Sequence, residues 1–432
     1  MNTITIDCGA SFVKGALFVD GVILKRSDKK TPPVDQKKSI KEPLQINNIL
    51  NVVKDLINEL SSDIDSFNLC ISNEMHGFVL VDKNINPIID YVSWQLEYGN
   101  IVIDGISSKE LLNKERTKDI DDSGMPIRAG LPSSNLFYLV RSKIVDVNNS
   151  IFLTLGDYVI SKLSGSIQHC HPTNAAASGL YSLKKNDWNT DYIKYIVGDN
   201  NVAFPKIGNK TAFFVYNDKK VTCFAAIGDQ QAALLGSGFI KKGQLSFNLG
   251  TGAQISILTT DYRDFNHASN YQIRPYFSGM YLKTIPHIPS GRASNVFVRF
   301  YKSVLSTFGI DVSDDVIWEK ILSANGKERM DVSLSFFENA VDKDVCGYIK
   351  NISEYGLTFD NLSASFIDQL ADNFITVSKK LTTKENVKEV VFSGGVSRKI
   401  KRVRDIILKE YNVQYIVAEN ETLTGLYNYS LM

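Results

Sequence analysis

The sequence predicts an α/β protein of two domains, and three observations carry that prediction. The chain has 432 residues, past the size at which a single hydrophobic core stops growing. A hairpin with a glycine-containing turn opens each half, Thr3 to Val19 around Asp7-Cys8-Gly9-Ala10-Ser11 and Gln244 to Leu258 around Gly250-Thr251-Gly252. Between them lies IGDQQAALLGSG, Ile227 to Gly238, where an apolar strand (Val221 to Ile227) turns at Gly228 into an Ala/Leu-rich helix beginning at Asp229. The domain boundary is drawn at Ala226, giving domains 1–226 and 227–432.

The β-rich run Thr3 to Ile6 ends at Asp7, and a second apolar run spans Val13 to Val19. Asp20-Gly21 is a type I′ turn signal that returns the chain as a third strand, Val22 to Lys25. Ser27 to Pro33 has turn composition and reads as an exposed loop. Lys37-Lys38 reads as solvated surface. Leu50, Val53, Leu56, Ile57 and Leu60 recur at helical spacing. Short strands follow at Phe67 to Ser72, Phe78 to Val81 and Tyr91 to Gln95. Ile101 to Lys143 reads as largely helical, and Leu153 to Leu163 as a helix stopped by Gly165. Pro172 to Gly179 is a small-residue segment that admits close approach of a ligand or another backbone. In the second half, Val296, Phe297, Phe300, Val304 and Leu305 form one helical stripe and Phe366, Leu370, Phe374, Val377 and Leu381 another, both read as core-facing. Val390 to Phe392 is a buried strand entering Ser393-Gly394-Gly395-Val396, followed by a helix from Ile400, a strand to Val417 and a short last helix.

Composition narrows the function. Hydrophobic content of 44%, charged content of 22% and a net charge of +1 are those of an ordinary globular chain with no field favouring nucleic acid or a membrane surface. Cys8, Cys70, Cys170, Cys223 and Cys346 are widely spaced without a C-x-x-C pair, which argues against a disulfide framework or zinc site and for a reducing compartment. No signal-peptide pattern opens the chain, and no apolar run approaches the roughly 18 residues of a membrane span. The expectation is a cytoplasmic protein acting on small molecules.

The chemistry-bearing residues stand at turns that follow strands. Gly-containing turns there can aim backbone N–H groups at phosphate oxygens, which makes Asp7, Gly9, Ser11, Lys14, Gly250, Thr251, Gly252, Gly394 and Gly395 candidate nucleotide contacts. Asp7 and Asp229 both stand at strand ends, where one can position hydrated Mg²⁺ through water and the other can deprotonate a hydroxyl. On local pattern alone, an N-cap is the simpler reading of Asp229. Neither a P-loop nor a Rossmann fingerprint occurs. Phosphoryl transfer relies mostly on positioning and charge neutralisation, so this division of labour suffices for it.

IDCGASFVKG resembles the first phosphate motif of the actin-like ATPase superfamily, and of the FGGY carbohydrate kinases in particular. ISNEMHGFVLVD resembles their sugar-contact segment and VSWQ a further sugar-side segment. IGDQQAALLGSG resembles the catalytic-Asp motif, FNLGTGAQ the second phosphate motif and VVFSGGVSRKI the adenosine motif. These matches keep the family's order from Ile4 to Leu426. The resemblance implies two ribonuclease-H-like (actin-like ATPase) domains flanking a central cleft, with sugar mainly on the N-terminal side and ATP on the C-terminal side. It makes Asp229 the base and gives Asp7, with Asp229, the Mg²⁺ through water. It makes Glu74, Met75, His76, Trp94, Gln95, Asp229 and Gln230 acceptor contacts.

Trp94-Gln95, where many relatives have Trp-Asn-Asp, is similar to the sedoheptulokinase branch, and Asn174, Ala175, Ala176 and Ser178 lean the same way. The implied reaction is ATP-dependent phosphorylation of a ketose's terminal hydroxyl, sedoheptulose to sedoheptulose 7-phosphate first, with xylulose or another pentulose as the alternative. Ala10 stands where Thr or Ser is usual, and the chain stops soon after the helix containing Gly425. Both keep open a reading of another class, a sugar- or nucleotide-binding regulator that has lost transfer. The implied partners are the ketose and ATP, without nucleic acid or membrane, and a homodimer is left open.

Overall fold

The computed structural model describes residues 1–33, 40–41, 44–263, 265–342 and 345–432; Lys37-Lys38 lie outside them. The chain forms two compact units, Met1–Gly236 with Thr260–Tyr281 and Asn420–Met432, and Ser237–Thr259 with Leu282–Glu419. Both are α/β, and the helix that begins at Asp229 falls inside the first.

The first unit is organised on a sheet in the order Ala212–Tyr216, Lys219–Cys223, Ser66–Asn73, Asn2–Cys8, Phe12–Val19, Val22–Lys30. Alternating Ile4 and Ile6 fill one side of the opening strand, and Asp20 and Gly21 both take positive φ (49° and 90°), as the hairpin turn requires. Strand Asn2–Cys8 runs antiparallel to Phe12–Val19 and parallel to Ser66–Asn73. The short strand Ile227–Gly228 lies parallel on the other side of Ser66–Asn73, with Ile227 opposite Ser72 and Gly228 opposite Asn73. Since Asp7 also pairs with Ser72, three parallel strands end level. The turn before Asp229 therefore lies one strand from Asp7's own row.

Four sequence expectations change in the first unit. Strand Val22–Lys30 runs through Ser27, so part of the predicted loop is edge strand, with alternate residues exposed and lysines along it, a usual protection of a sheet edge. The strand predicted over Val221 to Ile227 is interrupted at Phe224 to Ala226. Cys223 lies opposite Leu69 and Ile227 opposite Ser72, so the outer strand takes one extra residue before pairing again. Tyr91 to Gln95 makes a single bridge, Phe78 with Val92, rather than a strand. Leu153 lies in strand Ser150–Thr154, and the following helix, Leu155–Ser164, starts at a capping box between Thr154 and Asp157 and ends at Gly165 with φ 74°.

The second unit repeats the same core. Strand Gln244–Leu249 pairs antiparallel with Gly252–Thr259 and parallel with Glu389–Ser393, which pairs parallel with Gln414–Val417. Helix Phe359–Ser378 precedes Glu389–Ser393 as helix Leu44–Leu60 precedes Ser66–Asn73. It buries Phe366, Leu370, Phe374 and Val377, and Phe366 stacks on Phe297 at 4.5 Å between centroids. The predicted stripe on helix Gly291–Thr307 is displaced: Phe300 and Val304 are 51% and 42% exposed, and the buried side is Ala293, Ser294, Phe297, Val298 and Tyr301. Neighbouring apolar stripes on one helix are separated only by its packing partner, which spacing does not show.

The last helix, Glu421–Tyr429, belongs to the first unit and packs on helix Asp229–Gly236. Phe18 stacks on Tyr427 at 4.7 Å. The two helices meet through glycine: a Cβ on Gly236 would lie 1.8 Å from the Glu421 carbonyl oxygen, and one on Gly425 1.8 Å from that of Ala232. Cys8, Cys70, Cys170 and Cys223 are buried and unbridged, and Cys346 is exposed. No helix among the described residues is long and apolar enough to cross a membrane.

Candidate active site

The ends of the first unit's parallel strands collect three carboxylates. Asp7 is buried, and Ser72 Oγ donates to its Oδ1 at 2.8 Å. Burial raises its pKa, while the Ser72 hydrogen bond and the charge of Lys14, its partner across the hairpin, oppose the rise. Glu74 follows strand Ser66–Asn73 and is also raised by burial, with the nearby Tyr91 and Trp94 side chains opposing; Trp94 Nε1 donates to Glu74 Oε2 at 3.1 Å.

Asp229 is the first residue of its helix, and its Oδ1 accepts from the Gln230 amide at 2.7 Å. Its pKa is pushed up to about 7, by burial first and then by the charge of Asp7, with Glu74 adding and Arg274 opposing. It is the helix-initiating residue rather than the cap before it, and its surroundings favour the protonated form of its carboxyl.

A six-residue helix, Pro172–Ala177, braces this arrangement. Asn174 Nδ2 donates to Asn73 Oδ1 and to the Ala226 carbonyl, both at 2.9 Å, and Asn73 Nδ2 donates to the Glu74 carbonyl at 2.7 Å. Thr173 Oγ1 accepts from the Gly228 amide at 3.1 Å. The Thr173 amide donates to His171 Nδ1 at 3.3 Å, so that nitrogen is an acceptor and the Thr173 hydroxyl must give it its own proton, at 2.9 Å. Burial holds His171 neutral by lowering its pKa to about 3. On the other side, His76, at φ 67°, donates Nδ1–H to the Ala177 carbonyl at 2.7 Å. The small residues are thus used for a backbone approach: one helix fixes both Asn73 to His76 and the turn carrying Asp229.

Thr173→Val keeps the shape but leaves the Gly228 amide buried without its acceptor. It is expected to cost about 1–3 kcal/mol in urea unfolding, with Thr173→Ser near wild type; a Val variant as stable as the Ser variant would contradict the brace.

The remaining acceptor-side candidates divide. Met75 and Gln230 both touch the buried Arg274, whose Nη1 donates to Gln230 Oε1 at 3.0 Å and to Met75 Sδ at 3.4 Å. Trp94 is 46% exposed and Gln95 is exposed beside it. In the opening turn, the Gly9 amide donates to the Phe12 carbonyl at 3.2 Å and Thr31 Oγ1 donates to the Gly9 carbonyl at 2.7 Å, while Ser11 is exposed.

The second unit gathers the other glycines. Gly250 and Thr251 carbonyls accept from the amides of Gly291 and Arg292 at 3.1 and 2.8 Å. Gly394 has φ 85°, and a Cβ there would lie 2.5 Å from Leu249 backbone. Gly252 and Gly395 have neither restriction, and a Cβ on either would stand in open space. Thr173, Ser72 and Arg274 escaped sequence reasoning. Arg274 had one faint signal, a lone charge in the fully buried strand Gln272–Pro275.

Residues 2–236 match the model of the N-terminal domain of the FGGY family of carbohydrate kinases. The chain is 22% identical over 274 residues to a glycerol kinase from Alkaliphilus oremlandii, covering 59% of this chain and 53% of that protein. It is 23% identical over 238 residues to a xylulose kinase from Staphylococcus xylosus, covering 50% and 48%. The chain thus spans about half the length of these relatives. Its fold matches a solved xylulose kinase from Lactobacillus acidophilus with a TM-score of 0.81 at 18% identity, over 100% of this chain and 88% of that one. The fold is therefore that of two actin-like ATPase domains.

Proposed function

Because the chain belongs to the FGGY family of carbohydrate kinases, we propose that it transfers the terminal phosphoryl group of ATP to a hydroxyl of a small sugar, with Asp229 as general base. One observation carries this reading: a carboxylate at a strand end, its turn held by helix Pro172–Ala177 and its pKa raised to about 7, is suited to accept a hydroxyl proton at physiological pH. Asp229 takes that proton as the sugar oxygen bonds to the terminal phosphorus, and the bond to the departing ADP oxygen breaks. The first unit supplies the acceptor contacts Glu74, Met75, His76, Trp94, Gln95 and Gln230. Asp7, Gly9, Ser11 and Lys14 face the phosphates, and Gly250, Thr251, Gly252, Gly394 and Gly395 hold the nucleotide. The open space at Gly252 and Gly395 supports that assignment, since nothing in the protein itself requires glycine there.

Asp7 and Asp229 fit a hydrated divalent cation. They are near enough for Asp7 to raise the pKa of Asp229, and carboxylates are the hard oxygen donors that such an ion takes, directly or through its waters. Mg²⁺ there would supply charge neutralisation for the phosphates.

For the acceptor, a ketose is the reading, sedoheptulose before xylulose or another pentulose. The exposed indole of Trp94, tied to Glu74, suits the C–H face of a sugar whose hydroxyls bond nearby. ADP release with ATP and Mg²⁺ against sedoheptulose, xylulose, ribulose, fructose, glycerol and no sugar tests it. Release dependent on one ketose is expected. Release with glycerol alone would refute the ketose assignment, and sugar binding without any release would establish the non-transferring regulator instead.

A further inference from the structure

Arg274 is the one buried Lys or Arg among the described residues, at 3% exposure. It stands on strand Gln272–Pro275, held in the first unit with Asp229. Two of its nitrogens are occupied. Nη1 donates to Gln230 Oε1 and Met75 Sδ, and Nη2 donates to Gln272 Oε1. Nε–H is buried with no hydrogen-bond partner among the described residues. No carboxylate among the described residues forms an ion pair with it; Asp229 acts on it through its field, against burial and Arg128, which together bring its pKa down to about 9.

Burying a guanidinium is costly unless its donors are matched, and buried donors left unmatched mark either lost stability or a partner outside the chain. Stability is poorly served here. Gln272 and Gln230 already fix the guanidinium plane, and a neutral side chain of the same length would fill the space without the charge. The position is more telling: the Nη1 contacts are made to Met75, in the turn after strand Ser66–Asn73, and to Gln230, next to the candidate base on its helix.

We propose that Arg274 is an acceptor-binding residue: its Nε–H donates to an oxygen of the sugar, and it determines which acceptors the site takes. The inference rests on the carbohydrate kinase reading and deepens it. Met75 and Gln230 line the acceptor and are steadied by the Nη1 side of the same guanidinium, so one planar group orders two contacts and supplies a third. The ligand class it selects is a polyhydroxylated molecule with a hydrogen-bond-accepting oxygen at that point. An acceptor with hydrogen in its place leaves a buried charged donor unmatched and is rejected, which is how a polar site discriminates far better than an apolar one.

The test uses the full chain, the ketose it phosphorylates, and a set of analogues each lacking one hydroxyl. In wild type, one analogue is expected to raise KM by about 10- to 100-fold, the range for a charge-assisted hydrogen bond. In Arg274→Met, the intact sugar and that analogue are expected to have KM values within about twofold of each other. The other analogues keep their wild-type penalties, and KM for ATP stays unchanged. A merely structural role would weaken all acceptors alike and leave the discrimination intact, so a Met variant that discriminates against every analogue as wild type does overturns the proposal. Arg274→Lys keeps the charge with a shorter reach; should the Met variant not fold, reduced discrimination in the Lys variant supports the assignment and full discrimination overturns it. If wild type turns over no sugar, calorimetric binding of the same analogues makes the same comparison. Turnover of a sugar with unaltered discrimination refutes Arg274 alone, whereas neither turnover nor binding of any sugar refutes the kinase reading together with it.

Discussion

Asp229→Asn is expected to lower turnover by about 10²- to 10⁴-fold, the range for removal of a positioned general base, while nucleotide binding persists. The same substitution is expected to make the protein more stable at neutral pH. The pKa of Asp229 is raised from 3.8 to about 7 in the folded chain, so the fold favours the protonated form. Its stabilising contribution is fully present below the unfolded pKa, near 4, and is lost as pH rises through about 7. Asparagine carries no charge to bury and escapes that loss. Wild type should therefore fall below the variant by roughly 1–3 kcal/mol between pH 4 and pH 8, since a tenfold difference in proton affinity between folded and unfolded chains corresponds to about 1.4 kcal/mol before solvent screening. Asp7 and Glu74 are raised in the same direction and remain in both proteins, so some pH dependence survives. Urea unfolding at pH 4.5 and pH 8 measures the difference. Equal stability at pH 8 would show that the carboxylate is better solvated than its surroundings indicate, and near-normal turnover would remove Asp229 from the mechanism.

The second large effect concerns the crossing of helices Asp229–Gly236 and Glu421–Tyr429. A Cβ on either Gly236 or Gly425 would stand 1.8 Å from a carbonyl oxygen of the other helix. The obstructing atoms are backbone, which cannot swing away as a side-chain tip can. Gly425→Ala should push the helices apart and cost about 3 kcal/mol or more, at or above the upper end for overpacking; Gly425→Val should cost still more. Because Asp229 begins one of the two helices, activity should fall with stability, while ATP binding assigned to the second unit should change little. A thermal midpoint within about 2 °C of wild type would show that the helices can part without loss.

Much of this was legible from sequence because the relevant signals were local. The turn at Asp20-Gly21, the opening strand that carries Asp7 near its end and the helix starting at Asp229 each depend on a few adjacent residues with particular backbone needs. What escaped depends on neighbours distant in the chain. Ser27 to Lys30 has turn composition but pairs with Phe12 to Gly15, a partner its own residues do not announce. Phe300 and Val304 share a helix with buried Phe297, yet the positions of Phe366 and Phe336, both against Phe297, decide which stripe is covered. Thr173 reaches Gly228 and Arg274 reaches Gln230 across long intervals of sequence. A threonine or an arginine in isolation gives no hint of either bond, whereas glycines and strand-end aspartates narrow the possibilities by themselves.

The glycine crossing also has a consequence for synthesis. Helix Glu421–Tyr429 leaves the ribosome only after the whole of the second unit, yet it seals the first. For roughly 10–40 s at ordinary elongation rates, the helix bearing Asp229 has been made while the face that will receive Gly425 remains bare. The first unit to begin is thus the last to be finished. A chain interrupted before residue 421 lacks the helix that packs against the one beginning at Asp229.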